Sequence, residues 1–354
     1  MRQARIEDYA DQSFDWAVAL DVLEHVEESR MTALPLVAPG PRHLTVLLGW
    51  RCNASCRMCW QARARRDGVA QPELPIAEFH ALRDRYQGLR SIEFCSFGEP
   101  TLHPHLAEML DRLLCEQDRW ESRWTEVNLI TNGSTLGRFP QLARLPGYLT
   151  VSLDSPDPVT YAAIRRGLEL DRTLGSLQAF LAAPGREPGR SIGINMVLLR
   201  QNFDQVEAMA ALCDSLGLRY LHLLRGATLE MTEAAAEGLG DADLLPLPGR
   251  VAALRARYLD LELSDWASGA TSTGAASTPA TGPGYCQAPW TRLDVGPDGQ
   301  AHPCCRSYRI ALGSALDGDP WQHPELVALR EQLASDTLDA VRFAECAACP
   351  MRRG

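Results

Sequence analysis

The stretch HLTVLLGWRCNASCRMCW, residues 43–60, joins a short apolar run to three closely spaced cysteines. The run has the length and near-continuous apolar character of a strand that is covered on both faces of a sheet. Cys52, Cys56 and Cys59 follow at once, so we expect them on the loop after that strand. Three thiols this close together predict a metal or cluster site at the carboxyl end of the first strand.

Similar apolar runs recur along the chain and alternate with amphipathic stretches, as in repeated βα units. Five further strands are predicted in SIEFCSF from Ser91, TEVNLITN from Thr125, YLTVSLD from Tyr148, SIGINMVLL from Ser191 and LRYLHLL from Leu218. Apolar residues three and four apart predict helices in PIAEFHALRDRY from Pro75, HLAEMLDRLL from His105, DPVTYAAIRR from Asp157 and QVEAMAALCDSL from Gln205. Six such units predict an α/β fold, a partial (β/α)6 TIM-like barrel with its functional loops at the strand carboxyl ends.

Composition divides the chain into four parts. Residues 1–43 form an N-terminal extension without an assigned role, and residues 44–263 form the barrel. Residues 264–284, SDWASGATSTGAASTPATGPG, are rich in small residues and proline, which predicts a flexible linker. Residues 285–354 form a small C-terminal domain, with a predicted hairpin around GPDG at 296–299 and a predicted helix in HPELVALREQLA.

The bulk composition limits the possible functions. A chain of 354 residues with 45% hydrophobic residues can bury one large core, or one core and a small appended domain. Its formal charge of -10 argues against nucleic acid as the main partner. The opening residues do not read as a signal peptide and no stretch reaches membrane-spanning length, so we expect a cytoplasmic protein without a membrane partner. All 35 basic residues are arginines, which excludes lysine Schiff-base chemistry and a P-loop lysine.

The eleven cysteines are not expected to form a disulfide framework, because the cytosol keeps thiols reduced and a chain of this size folds without disulfides. The second group lies near the C-terminus and comprises Cys286, Cys304, Cys305, Cys346 and Cys349. Cysteine thiolates hold iron–sulfur clusters, and three thiolates on a cubane leave one iron open. A zinc site or a chance cluster is the alternative for the first group, and a four-thiolate zinc knuckle is the alternative for the second. Cys95, Cys115 and Cys213 are expected to be small buried hydrophobic residues, with Cys95 close to the pocket.

The Cys-x3-Cys-x2-Cys spacing of the first group resembles the signature of the radical S-adenosylmethionine (radical SAM) superfamily, and the resemblance extends over residues 44 to about 226. It implies a 4Fe–4S cluster on Cys52, Cys56 and Cys59, whose open iron is chelated by the amino and carboxylate groups of S-adenosylmethionine. It also implies reductive cleavage of that cofactor to a 5'-deoxyadenosyl radical, chemistry that the cofactor carries and the protein places. A reductant such as flavodoxin or ferredoxin is then the expected protein partner.

Three further strand ends match the family. The sequence FGEP, residues 97–100, looks like the Gly-Gly-Glu motif with Phe97 in place of the first glycine, which implies that Glu99 accepts hydrogen bonds from the cofactor ammonium. The resemblance also implies polar contacts with the ribose or the methionyl carboxylate of the cofactor. The residues in those positions are Ser152 and Asp154 of SLDS and Asn195 of GINMV. The alternatives stay open: a capping carboxylate for Glu99, a strand-end hydroxyl for Ser152 and a turn former for Asp154.

The C-terminal residues resemble the auxiliary-cluster domain of radical SAM enzymes, known in a long SPASM form and a short twitch form. Five cysteines fit the one-cluster twitch form. The resemblance implies a second 4Fe–4S cluster on Cys286, Cys304, Cys346 and Cys349, with Cys305 as the alternative to Cys304. A cluster whose irons all have protein ligands favours electron transfer over substrate binding.

The whole pattern is most similar to the aminocyclitol dehydrogenase of the butirosin pathway. It implies an oxidoreductase of natural-product biosynthesis, which takes a hydrogen atom from a sugar, aminocyclitol or nucleoside-like molecule and uses the auxiliary cluster as electron acceptor. The alternatives are a maturase of ribosomally synthesised peptides, an epimerase or decarboxylase of an antibiotic sugar, and a non-enzymatic iron–sulfur or zinc module. The general base is not assigned, since an arginine and a histidine are equally compatible with the sequence.

Overall fold

The computed structural model describes residues 40–59, 72–119, 125–225, 232–265, 267 and 286–349. Its strands are β1 (His43–Leu47), β2 (Ser91–Cys95), β3 (Glu126–Thr131), β4 (Gly147–Ser152), β5 (Arg190–Leu198), β6 (Tyr220–Arg225), β7 (Glu262–Asp265), β8 (Arg292–Val295) and β9 (Ala301–His302). They form one sheet in the order β7-β6-β5-β4-β3-β2-β1-β8-β9, and every pair in it is parallel except β8 with β9.

Helices lie between the parallel strands, and two more follow the last strand. They are α1 (Ile76–Arg85), α2 (Leu106–Arg119), α3 (Gln141–Arg144), α4 (Pro158–Ile164), α5 (Leu170–Leu181), α6 (Val206–Ser215), α7 (Asp241–Leu244), α8 (Leu247–Arg257), α9 (Ala288–Thr291), α10 (Pro324–Ala334) and α11 (Ala344–Ala347). None of the helices in the described ranges is both long and apolar enough to cross a bilayer.

The predicted fold class is confirmed. Strands β1–β6 coincide with the six predicted runs, and α1, α2, α4 and α6 with the four predicted helices. A seventh parallel strand, β7, was not predicted, because Leu263 is its only apolar residue. Ser264 and Asp265, placed at the start of the predicted linker, form the end of β7. The rest of that linker, except residue 267, and residues 1–39 of the predicted N-terminal extension lie outside the described residues.

The C-terminal region is joined to the barrel through the sheet itself. Strand β8 pairs in parallel with β1, with Thr45 opposite Asp294 in the register. Strand β9 returns antiparallel to β8, which confirms the predicted hairpin, and α10 confirms the predicted helix. On the outside, the Glu78 carboxylate of α1 accepts hydrogen bonds from the Ser314 hydroxyl and, at 3.1 Å, from the Ala315 amide.

The two faces of the sheet differ in polarity. The outer face carries buried apolar side chains such as Phe94, whose ring lies 5.8 Å from that of Phe79 on α1. Side chains at the alternate positions point to the inner face, where two rows of polar side chains run across neighbouring strands. The first row crosses β8, β1, β2 and β3 and consists of Asp294, Thr45, Glu93 and Asn128. The second row crosses β4, β5, β6 and β7 and consists of Ser152, Asn195, His222 and Ser264. The interior of the barrel is therefore lined by polar side chains.

Candidate cluster and cofactor site

The cysteine loop, residues 51–59, leaves β1 at the carboxyl edge of the sheet and is held there by backbone hydrogen bonds. The Ser55 amide donates to the Arg166 carbonyl at 2.8 Å, and the Arg57 amide donates to the Ile164 carbonyl at 3.0 Å. Both acceptors lie at the end of α4 or just beyond it. The path of the loop is thus fixed by a second βα unit.

A second anchor joins the cysteine loop to the FGEP sequence after β2. The Glu99 amide donates to the Arg51 carbonyl at 2.7 Å. Gly98 lies at the point of closest approach, where an added Cβ would lie 2.0 Å from the Arg51 oxygen. Only glycine permits this contact, so the glycine of FGEP sets the distance between the two loops.

A third anchor runs through side chains of the loop after β3. The Asn132 side-chain amide donates to Asn53 Oδ1 at 2.9 Å, and the Asn53 side-chain amide donates to the Ser134 hydroxyl at 2.9 Å. The cysteine loop is therefore tied to the loops that follow β2 and β3 and to the end of α4. Such multiple support is what a preorganised site requires.

The Glu99 carboxylate is buried below the cysteine loop and has four donors within the protein. Oε1 accepts from the Thr101 amide at 3.1 Å and from the Thr101 and Thr131 hydroxyls, both at 2.5 Å; Oε2 accepts from the Asn132 amide at 2.6 Å. Burial raises the pKa of Glu99, and these donors oppose the rise. Oε2 accepts one hydrogen bond where Oε1 accepts three, so Oε2 has a lone pair left for one more donor. The contact between Glu99 and the cofactor ammonium stays a prediction.

Asp154 lies in a buried ion pair beside the cysteine loop. Its Oδ2 accepts from Arg165 Nε at 2.6 Å, and its Oδ1 accepts from the Val197 amide at 2.8 Å. Burial raises the pKa of Cys56 to about 11; the Arg165 charge opposes the rise, and Asp154, Cys59 and Cys52 add to it. In this structure Asp154 orients Arg165 next to Cys56, and its contact with the cofactor stays a prediction.

The donor set of the cysteine loop fits an iron–sulfur cluster. With its pKa near 11, the Cys56 thiol is protonated at neutral pH, and three thiolates on one loop would repel each other without a compensating positive charge. Bound iron supplies that charge, because metal binding deprotonates its thiol ligands. No three Cys, His, Asp or Glu side chains of the described ranges converge on the position of a single metal ion. A cubane binds each thiolate at a separate iron.

Ser152 and Asn195, the two other predicted cofactor contacts, are register neighbours, with Ser152 at the carboxyl end of β4 and Asn195 inside β5. Asn195 Oδ1 lies 3.0 Å from His222 Nδ1, and the His222 ring stacks on Tyr220 at 4.6 Å between ring centres. His222 was not singled out from the sequence. Its signal is a polar residue at an alternate position of an otherwise apolar strand.

The second cysteine group surrounds one cavity. Cys286, Cys304, Cys346 and Cys349 all line it, together with apolar side chains that include Leu329 and Leu333 of α10. Burial, with the neighbouring thiols, raises the pKa of Cys286 to about 11 and that of Cys346 to about 12. As at the first site, a cation is needed to stabilise several thiolates in so apolar a cavity, and the residues present fit a four-thiolate cluster.

The adjacent Cys305 is outside that set of lining residues. Burial and Asp294 raise its pKa to about 12, while the Arg292 charge opposes the rise. Cys95 shares these neighbours, since Asp294, Arg292 and Cys305 all affect its pKa. Cys304 and Cys305 therefore lie in different surroundings, and only Cys304 lines the cavity.

The two remaining cysteines differ from one another. Cys213 of α6 is buried among apolar side chains, as predicted. The same expectation is wrong for Cys115, which is exposed on α2. Its helix packs on the sheet through other positions, such as the buried Met109 and Leu110.

Aromatic rings span the distance between the cysteine loop and the C-terminal region. The ring of Phe97 lies 4.7 Å from that of Trp50 and 6.4 Å from that of Tyr308, which lies 4.8 Å from His302. Phe97 stands where the resemblance places a glycine, and here it contacts both sides of the site.

The family model of the radical SAM superfamily matches residues 46–213, a stretch just short of half of the chain. Over these residues the chain is similar to the radical SAM superfamily. The matched residues contain the cysteine loop, the FGEP sequence and strands β2–β5. The anchors described above therefore lie within the matched residues.

Curated relatives share parts of this chain. It is 29% identical over 173 residues to GTP 3',8-cyclase 1 of Pseudomonas aeruginosa, covering 48% of this chain and 49% of the relative. It is 30% identical over 219 residues to GTP 3',8-cyclase of Rhizobium meliloti, covering 60% of this chain and 58% of the relative. A probable GTP 3',8-cyclase of Methanothermobacter marburgensis is 25% identical over 311 residues, covering 84% and 90%. The chain spans about half the length of the first of these relatives.

Solved structures share the fold. SuiB of Streptococcus suis, bound to S-adenosylmethionine, superposes with a TM-score of 0.62 at 16% identity, covering 100% of this chain and 78% of that one. The enzyme anSMEcpe with bound AdoMet has a TM-score of 0.59 at 14% identity, covering 86% and 89%. These likenesses support the barrel architecture. The particular similarity to the aminocyclitol dehydrogenase stays a prediction.

Proposed function

We propose that this protein is a radical SAM oxidoreductase that acts on a small polar molecule bearing hydroxyl groups, within natural-product biosynthesis in the cytoplasm. The observation that carries the proposal is the pair of cysteine sites: three thiols on a loop anchored at the barrel mouth, and four thiols around one C-terminal cavity. When bound, a 4Fe–4S cluster on the loop and S-adenosylmethionine supply the one-electron chemistry that removes a hydrogen atom from the substrate.

The residues of the cysteine loop would bind the cluster and position the cofactor. Cys52, Cys56 and Cys59 would hold the cluster and leave one coordination position for the cofactor. Gly98 and Glu99 fix the second loop against Arg51, so that cofactor contacts after β2 keep a constant distance from the thiols. Placement to within about 0.5 Å is what catalysis of this kind requires of a protein scaffold.

The polar interior of the barrel would orient the substrate. Its two rows of side chains supply hydroxyl, amide, imidazole and carboxylate groups, which suit hydroxyl-rich molecules. Four thiols at the second cavity match the four irons of a cubane, so that cluster would have no open iron. This favours a role for the second site in accepting an electron, with flavodoxin or ferredoxin supplying electrons to the first.

A second candidate is the radical cyclisation of a purine nucleotide. It is favoured by the curated relatives named GTP 3',8-cyclase, one of which aligns with 84% of this chain. One observation argues against this candidate. Arg292, the one arginine of β8, is already paired with Asp294, with its Nε 3.0 Å from Asp294 Oδ1. A bound triphosphate needs several cationic partners.

The test is anaerobic reconstitution followed by product analysis. We expect about eight irons per chain, reductive formation of 5'-deoxyadenosine, and no such product from the variant in which Cys52, Cys56 and Cys59 are alanine. With polyols and aminocyclitols as substrates, we expect a product lighter by two hydrogens. Cleavage that survives the triple substitution overturns the proposal. Conversion of GTP to an isomeric product establishes the second candidate instead.

A further inference from the structure

Asp294 is a fully buried carboxylate on β8 with one oxygen satisfied and the other not. Its Oδ1 accepts from Arg292 Nε at 3.0 Å. Its Oδ2 is buried and has no hydrogen-bond partner among the described residues. The register neighbour Thr45 accepts from Arg292 Nη2 at 2.7 Å. Burial raises the pKa of Asp294, and Arg292 and the Thr45 hydroxyl oppose the rise. A buried acceptor without a donor is costly, so it marks a position where a partner binds.

Other buried carboxylates of the protein show that this is exceptional. Glu78 and Asp154 each have a donor on both oxygens, and Glu99 has four donors in all. Arg165 reaches Asp154 as Arg292 reaches Asp294, yet only at Asp154 does a backbone amide complete the pair. Asp294 Oδ2 therefore differs from the carboxylate oxygens of Glu78, Glu99 and Asp154, each of which accepts a hydrogen bond.

Asp294 lies on the inner face of β8, and its charge raises the pKa of Cys304 and Cys305 in the second cysteine group. It shares a row with Thr45 on β1 and Glu93 on β2, on the face opposite the apolar side chains that contact the helices. The charges of Asp294 and Arg292 both act on Tyr308 and on Cys95, which follows Glu93 at the end of β2. Groups from β1, β2, β8 and the loop after β9 thus meet around this carboxylate.

We propose that Asp294 Oδ2 binds a hydrogen-bond donor of the substrate, an ammonium or a hydroxyl group. This rests on the proposed function and narrows its substrate class to neutral or cationic amino alcohols and polyols. Arg292 fixes the carboxylate through Oδ1, so Oδ2 has a fixed position. It would therefore select substrates by the position of their donor group as well as by their charge. An anionic substrate such as a nucleoside triphosphate would meet a buried carboxylate of the same sign, which disfavours it.

The experiment measures binding, without turnover, to anaerobically reconstituted holoprotein in the presence of S-adenosylmethionine. Isothermal titration uses four probes: 2-deoxystreptamine, myo-inositol, inositol 1-phosphate and GTP. Wild-type protein is expected to bind the diamine most tightly and the two phosphorylated probes most weakly. Asp294→Asn keeps the shape and an acceptor for Arg292, and is expected to weaken diamine binding roughly 10- to 100-fold while leaving S-adenosylmethionine binding unchanged.

Glu78→Gln is the matched control, because Glu78 is equally buried but lies on α1, on the outer side of the sheet. It is expected to leave the affinity of every probe unchanged. Asp294→Glu, which keeps the charge, is the second variant if the asparagine variant does not fold, and it is expected to retain the preference for the diamine over inositol 1-phosphate.

The inference is overturned if wild-type and Asp294→Asn protein bind the diamine with equal affinity. It is also overturned if GTP is the probe that wild-type protein binds most tightly, or if none of the four probes binds. The proposed function is tested separately by 5'-deoxyadenosine formation without substrate. Cofactor cleavage together with Asp294-independent binding refutes only the inference. Asp294-dependent binding without any cofactor cleavage refutes only the proposed function.

Discussion

Replacing Gly98 by alanine tests how closely the FGEP loop must approach the cysteine loop. The added methyl carbon would lie 2.0 Å from the Arg51 oxygen and 2.5 Å from the Trp50 oxygen, whereas ordinary contacts begin near 3.4 Å. Both obstacles are backbone atoms, so no side-chain rotation relieves the overlap. The two loops must separate by roughly 1 Å or more, which breaks the hydrogen bond from the Glu99 amide to Arg51, and a displacement of this size costs about 100-fold in rate.

We expect Gly98→Ala to form 5'-deoxyadenosine about 100 times more slowly than wild-type protein and to lose about 1–3 kcal/mol of unfolding free energy. The assay is a time course of 5'-deoxyadenosine after dithionite reduction, normalised to the iron content of each sample. Gly175→Ala is the matched control, because no atom lies within 4 Å of its added Cβ. Wild-type rates in Gly98→Ala would show that the contact between the loops does not position the cofactor.

Three further substitutions follow from the same structure. Cys304→Ala should remove about half of the bound iron, whereas Cys305→Ala should keep it, since only Cys304 lines the second cavity; equal iron loss would contradict this assignment. Arg165→Gln leaves a buried carboxylate without its cation and should cost about 3–5 kcal/mol in denaturant unfolding, against less than about 1 kcal/mol for Arg166→Gln in a half-exposed pair. Burial, aided by nearby arginines, lowers the pKa of His43 to about 4. Unfolded chains then bind more protons than folded ones below pH 6.5, so stability should fall by about 2–3 kcal/mol as the pH drops from 6.5 towards 4. His43→Gln should remove most of that dependence, and an equally steep fall in the variant would locate it elsewhere.

The strands and the first cysteine group could be predicted from the sequence because their signals are local. Each of the six predicted strands contains enough apolar residues to register as a continuous run, and the cysteine loop follows the first of them directly. Strand β7 lacks that signal, since its residues are Glu262, Leu263, Ser264 and Asp265. It becomes a strand because β6 offers it a parallel edge, which is a tertiary effect.

The second site depends on contacts between distant residues. The short sequence Arg292–Val295 resembles an exposed hairpin strand, and only its pairing with β1, more than 240 residues away, buries Asp294. Cys304 and Cys305 are adjacent in a bend after β9, so the sequence pair could not reveal which thiol lies in the cavity. The structure distinguishes them by their neighbours, with Cys304 in the cavity and Cys305 near Asp294 and Arg292.

We propose that Cys52, Cys56 and Cys59 hold a cluster with one iron open to S-adenosylmethionine. Electron paramagnetic resonance of a variant with alanine at Cys286, Cys304, Cys346 and Cys349 tests this most directly, because only the barrel site can then bind a cluster. After anaerobic reduction we expect the signal of a single 4Fe–4S cluster, with g values that change when S-adenosylmethionine is added. A signal that S-adenosylmethionine leaves unchanged, or zinc in place of iron at this site, would contradict the account.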